Sequence, residues 1–191
     1  LRHRFYRSFM LRASTAADLT LNIGDAYEED SVAILKTPRD LPLYFNPQDS
    51  RLEALHWLVT AASGAGKSFF VGLVLLRLLK AGSPISILFV DHNRSFRRLT
   101  KGAARGEYLE PPTLKDLELS IDRVISSLNV TGTLAGIELS DLATGEKREA
   151  IQLLLTRVEA WLRARDTIHP VYLVLDESWN FMRDEPLLVQ R

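Results

Sequence analysis

Residues 59–70 read VTAASGAGKSFF, and Gly64, Gly66, Lys67 and Ser68 have the types and spacing that a phosphate group requires. Glycines let successive backbone N–H groups approach an anion closely, and a following helix adds the positive end of its dipole. A lysine then supplies a mobile charge, and a hydroxyl can ligate a hard cation. The pattern G-x-x-x-x-G-K-S/T asks for glycine at position 61, where this chain has Ala61. That position lies where a strand enters the loop, so its methyl group costs backbone freedom without meeting the phosphates. An ordinary strand-to-helix turn could carry the same residues, but a strand before and an apolar helix after form the context the motif needs. Ser63, Gly64, Ala65, Gly66, Lys67, Ser68 and Phe69 are therefore expected to bind a nucleotide. Lys67 would act on the β- and γ-phosphates, and Ser68 would ligate Mg2+.

A second acidic pair stands in VYLVLDESWNFM, residues 171–182. An apolar strand ending in two acids is the partner of such a loop. Asp176 would hold the Mg2+ shell through water, and Glu177 would orient or deprotonate the attacking water, which makes Glu177 the expected catalytic base. Asp91 also ends an apolar run; it would face the nucleotide or stand as a solvated strand-end acid. Arg94, Arg97, Arg98, Arg105 and Arg183 are candidates to reach a neighbouring subunit, against the plainer reading of surface arginines. His3, His56, His92 and His169 lack metal-ligand spacing and read as structural or surface residues. Trp57, Trp161 and Trp179 read as core or interface.

These residues need elements to position them. SVAILKT and LPLYFNP look like two strands turning at Pro38, Arg39 and Asp40. Residues 55–60, LHWLVT, read as a buried strand into the glycine loop. Ser68 to Lys80 read as an apolar helix closed by Gly82 and Pro84. ISILFVD, residues 85–91, is a run of the kind buried on both faces of a parallel sheet. Helical spacing appears at Leu114, Leu117, Ile121, Ile125 and Leu128, and again from Lys147 to Arg165 with Ile151, Leu154, Leu155, Val158 and Leu162 inward. Residues 1–30 read weakly as the tail of a preceding segment, with Phe5, Phe9 and Leu11 at helical positions. Residues 31–191 read as one α/β domain. Abrupt changes near Glu110-Pro111-Pro112 and near Leu128-Asn129 suggest that segments are absent there.

The 191 residues, 46% hydrophobic and 25% charged, exclude disordered and fibrous classes. Lys plus Arg equals Asp plus Glu at 24 each, so net charge gives no global pull toward nucleic acid or an anionic membrane. The absence of cysteine removes disulfides, thiol catalysis and cysteine-ligated metals. The longest apolar run, Phe69 to Leu79, is short for a membrane span and contains Arg77. The opening LRHRFYRSFMLR has four arginines and no acid, as transit peptides do. A chain starting with leucine reads more simply as part of something longer.

Taken together, YFNPQDS, SGAGKSFF, ILFVDHNRSFRRL and VYLVLDESWNFM resemble the TraC/TrbE-type ATPases of type IV secretion and conjugative DNA transfer. The likeness covers about residues 32–185, and Asp176, Glu177 and Trp179 match the family's Asp-Glu-x-Trp signature. The family is similar to the HerA/FtsK branch of RecA-like motors. The resemblance implies a RecA-like P-loop core with a mainly parallel sheet and helices on both faces. It further implies ATP and Mg2+ as cofactors and a homo-oligomer, usually a hexameric ring with ATP at its subunit interfaces. Inner-membrane proteins of the secretion complex and other secretion ATPases would be the partners, at the cytoplasmic face of the bacterial inner membrane. The chain stops at Arg191 and the motifs are closer than the family has them, so the polar sensor and interface arginine are not assigned. Two other readings stay open: a HerA/FtsK-like DNA translocase or coupling protein, and a nucleotide-gated scaffold with little hydrolysis.

Overall fold

The structure, a computed structural model, describes residues 9–10, 32–36, 42–46, 56–165 and 169–177. The chain divides into two compact units, Leu1–Ser83 and Pro84–Arg191.

In the first unit, β1 (Phe9–Met10) pairs in parallel with β4 (Val59–Thr60). Phe9 thus lies in a strand, whereas its spacing suggested a helix; Phe5 and Leu11 lie outside the described residues. The expected hairpin is present, with β2 (Val32–Lys36) antiparallel to β3 (Pro42–Phe45). The strand before the glycine loop is shorter than LHWLVT promised. Among its described residues, 56–60, only Val59 and Thr60 pair, both half-buried, and Trp57 and Leu58 are exposed. An apolar run shows what a segment could bury, not what neighbours reach it. Helix α1 (Lys67–Lys80) buries Gly72, Val74, Leu75 and Leu78. Its end is a Schellman motif: Ser83 N donates to Leu78 O and Gly82 N to Leu79 O, each at 3.1 Å. Gly82, at φ 85°, supplies the left-handed turn this closure requires. Arg77 donates from the last turn to Ala33 O, tying α1 to β2.

The second unit is a four-stranded, wholly parallel sheet ordered β6-β7-β5-β8. Its elements are β5 (Ser86–Asp91), α2 (Arg97–Lys101), β6 (Gly106–Leu109), α3 (Leu114–Ser127), β7 (Leu134–Glu138), α4 (Thr144–Ala164) and β8 (Val171–Leu175). Strands β6 and β7 were not anticipated from sequence. GEYL and LAGIE are short, and a glycine in each breaks the apolar run.

Alternation along the strands separates the two faces of the sheet. Leu88, Val90, Ala135 and Ile137 join Leu117, Ile121, Val124 and Ile125 of α3 and Ala150, Ile151, Leu154 and Val158 of α4 in one core. Full burial of each large aliphatic side chain contributes about 1.5–3 kcal/mol. On the opposite face Phe89 stacks on Phe96, just before α2, with ring centroids 4.3 Å apart. Helices therefore cover both faces, and this unit has the parallel α/β architecture expected of a RecA-like core.

Helix α3 starts at Thr113, whose Oγ1 accepts from Asp116 N. Helix α4 begins three residues earlier than its apolar spacing indicated, because Glu146 reaches back to Ala143 N at 3.0 Å. Leu162 faces out, with Trp161 packed against the core in its place. Between α3 and β7 the chain turns through Asn129 N to Ser126 O and Gly132 N to Ile85 O. Between β6 and α3 it runs through the buried Pro111.

Candidate functional site

The glycine-loop residues lie before α1 and in its first turn, and Asp91, Asp176 and Glu177 lie at the carboxyl ends of β5 and β8.

Residues 61–66 leave β4 as an exposed loop with one internal turn, Ala65 N to Ala62 O at 3.1 Å. Ala61 directly follows Thr60, at the strand's exit. Gly64 and Gly66 have φ of 76° and 89°, the left-handed region where a side chain is strained. A Cβ built at either would meet nothing within 4 Å. The glycines thus serve the backbone path, and the space before them is open to a ligand. Gly66 caps α1 without a side chain, and the first turn of α1 holds no acid. The other two long helices have Thr113 with Asp116, and Glu146, in these places. The start of α1 thus has neither a side-chain cap nor an acid of its own, a setting whose dipole favours an external anion. Lys67 and Ser68, half-buried, open the helix, and the Phe69 ring is 75% exposed. The lysine, the hydroxyl and the loop N–H groups would suit a nucleoside triphosphate with Mg2+.

In the second unit, Glu138 is paired in register with Asp91, and Asp176 follows Leu175, the partner of Val90. Three acids thus stand in a row on adjacent parallel strands. Open α/β sheets bind ligands beyond these carboxyl ends. They are buried, at 0% for Asp91, 1% for Glu138 and 6% for Asp176. Asp176 N donates to Val90 O at 3.0 Å, extending the sheet to the acid itself. Glu177 follows with φ 52°, an uncommon conformation for a residue with a side chain. Strain of this kind concentrates where function requires a particular placement.

Asp91 is buried rather than solvated, contrary to the reading of it as a solvated strand-end acid. Its Oδ1 accepts from Asn93 N at 3.2 Å and Ser95 N at 3.0 Å, and its Oδ2 from Phe96 N at 2.8 Å. Tyr108 Oη lies 2.9 Å from Asp91 Oδ2 and 2.7 Å from Glu138 Oε2. Glu138 also accepts from Arg94 N at 3.0 Å and Ser140 N at 2.8 Å. To reach both acids the Tyr108 ring crosses Gly136, where a Cβ would lie 2.4 Å from Tyr108 Cδ2. Burial, then hydrogen bonding to Glu138 and Asp91, pushes the Tyr108 hydroxyl far above its ordinary range. It stays protonated and donating. Neither Tyr108 nor Glu138 was legible as a functional residue; the signal available was a glycine in β7 opposite an aromatic in β6.

Of the described candidate arginines, Arg94, Arg97 and Arg105 are engaged within their own unit, and Arg98 is exposed on α2. Arg94 makes two bonds to Asp141, Arg97 pairs with Glu110, and Arg105 donates to Thr131 O. Arg183 and Trp179 lie outside the described residues, as does His3. His169 Nε2 bridges Ser86 Oγ and Leu128 O, a structural role as expected. Burial and then Lys147 lower the pKa of His92, against Glu138, Asp176 and Asp91. Trp161 packs on the core beneath the Arg165 guanidinium, 4.8 Å above its ring. No helix among the described residues is long and apolar enough to cross a membrane.

The family model for the central domain of helicase HerA matches residues 28–186, a span that contains both the glycine loop and the Asp176-Glu177 pair. The comparisons with curated proteins and with solved structures return no match.

Proposed function

The chain belongs to the helicase HerA central-domain family, a branch of the P-loop ATPases, and from that premise we propose that it is the ATP-hydrolysing core of a ring-forming motor that energises type IV secretion or conjugative transfer. The observation that carries the ATPase reading is the left-handed pair Gly64 and Gly66 at the uncapped, acid-free start of α1. The loop N–H groups from Ser63 to Phe69 would bind the phosphates, and Lys67 would reach the β- and γ-phosphates. Ser68 would ligate Mg2+ directly and Asp176 through water. Bound Mg2+ supplies neutralisation of charge on the transferring phosphoryl group. Glu177 would orient the attacking water and take its proton, leaving ADP and phosphate as products.

The secretion reading is supported by the lead-in YFNPQDS and by Asp176-Glu177-x-Trp179. It places a homo-hexamer against inner-membrane proteins and companion ATPases, on the cytoplasmic face of the bacterial inner membrane. A DNA translocase is the second reading, favoured by the family description itself. The zero net charge gives it no added support.

Steady-state ATP hydrolysis by the full chain, measured across protein concentration with and without duplex DNA, separates the readings. The motor reading expects turnover per chain to rise with concentration and to fall about 100-fold or more in Glu177→Gln while ATP binding persists. Strong salt-sensitive stimulation by DNA would move the assignment to a translocase. Equal slow turnover in parent and variant would leave a nucleotide-gated scaffold.

A further inference from the structure

Four successive backbone N–H groups, those of Asn93, Arg94, Ser95 and Phe96, all donate to just two buried carboxylates. Asp91 takes three and Glu138 takes one, and the Tyr108 hydroxyl lies between the two acids. Arg94 is held at φ 56° by this arrangement, and its guanidinium is fixed outside the turn by Asp141. A five-residue connection into a short helix needs no such framework for its own sake, since exposed turns are ordinarily satisfied by water. The framework delivers one side chain to the proposed chemistry: Ser95 Oγ lies 3.5 Å from Asp176 Oδ2.

We infer that the 92–96 turn is a rigid bracket that sets Ser95 against Asp176, making Ser95 a positioning residue for Mg2+ use and Tyr108 the residue that holds the bracket closed. This rests on the reading of Asp176 given above. A carboxylate that holds a cation through water works only with its oxygens in a fixed orientation, and a hydrogen bond to one oxygen fixes how the other is presented. A serine has a single side-chain torsion, so pinning its backbone N–H to Asp91 leaves its hydroxyl only the staggered positions of that torsion. Tyr108 acts one step further back. Its hydroxyl lies between Asp91 and Glu138, the two acids that hold the turn, so its removal leaves two buried carboxylates facing each other and the turn free to shift.

The test uses the full chain, a fluorescent ATP analogue, and the Mg2+ concentration that half-saturates the Mg2+-dependent gain in analogue affinity. Ser95→Ala should raise that concentration by about threefold to tenfold, the worth of one long hydrogen bond. Binding in EDTA should not change, and Ser95→Thr, which restores the hydroxyl, should return the parent value. Tyr108→Phe keeps the ring over Gly136 and should shift the Mg2+ requirement in the same direction; it carries the test if Ser95→Ala fails to fold. Asp176→Asn separates the two levels of the argument. If Asp176→Asn moves the Mg2+ requirement while Ser95→Ala and Tyr108→Phe do not, the bracket serves the fold alone and the inference is wrong. If Asp176→Asn has no effect either, the reading of Asp176 fails and the inference falls with it.

Discussion

Asp91 satisfies three backbone N–H groups and meets the Tyr108 hydroxyl while fully buried. Asp91→Ala strands those donors, and at about 1 kcal/mol or more for each it should cost about 3 kcal/mol or more, readable by urea unfolding. Gly136→Ala places a methyl group inside the Tyr108 ring, so about 1–3 kcal/mol of overpacking is expected. That penalty should shrink in a Tyr108→Ala background, a coupling a double-mutant cycle would show. His92 gives a pH dependence. Its pKa is lowered by burial from 6.5, so the unfolded chain takes up the proton first as pH falls. Its contribution to stability is present above pH 6.5 and is lost as the pH drops below it. The fall in melting temperature between about pH 7 and about pH 5.5 should therefore be smaller in His92→Gln than in the parent.

Among the elements, α4 tests which face is inward. Leu154 is fully buried and Leu162 is exposed, although both fit the same apolar period. Leu154→Ala should cost about 2–5 kcal/mol, and Leu162→Ala should stay within about 0.5 kcal/mol; comparable losses would mean that the helix is rotated. The period alone did not separate the two residues because it does not show which residue of the last turn reaches the core, and there Trp161 packs against it while Leu162 is exposed. Strands β6 and β7 escaped notice for a related reason. Gly106 lies where a Cβ would meet Thr100 O at 1.8 Å, and Gly136 lies beneath Tyr108. Each glycine answers to a neighbour outside its own strand, so within the strand it reads only as an interruption.

For the whole molecule, ATP binding should stabilise the folded chain by about 2.7 kcal/mol at a ligand concentration of 100 times Kd. Gly66→Arg, which forces a side chain into the left-handed position facing the open loop, should abolish that thermal shift while leaving the apo melting temperature within a few degrees. A shift that survives would remove the loop from nucleotide binding. With 24 cations and 24 anions, the chain should bind duplex DNA weakly at about 0.15 M salt.

Local rules were enough for the glycine loop, the hairpin β2–β3, strand β5, helices α1 and α3, and the acid pair after β8. Each is fixed by a motif or a period contained within a stretch of neighbouring residues. The same sequence left Asp91 undecided and passed over Tyr108, Glu138 and the parallel strands that carry them. Those assignments rest on pairings between residues 17, 30 and 44 positions apart: Tyr108 with Asp91, Tyr108 with Glu138, and Arg94 with Glu138. A short strand or a strand-end acid has no local signature of its partner. Only the lateral order β6-β7-β5-β8 brings the acids into one row and gives a single tyrosine two of them to bridge.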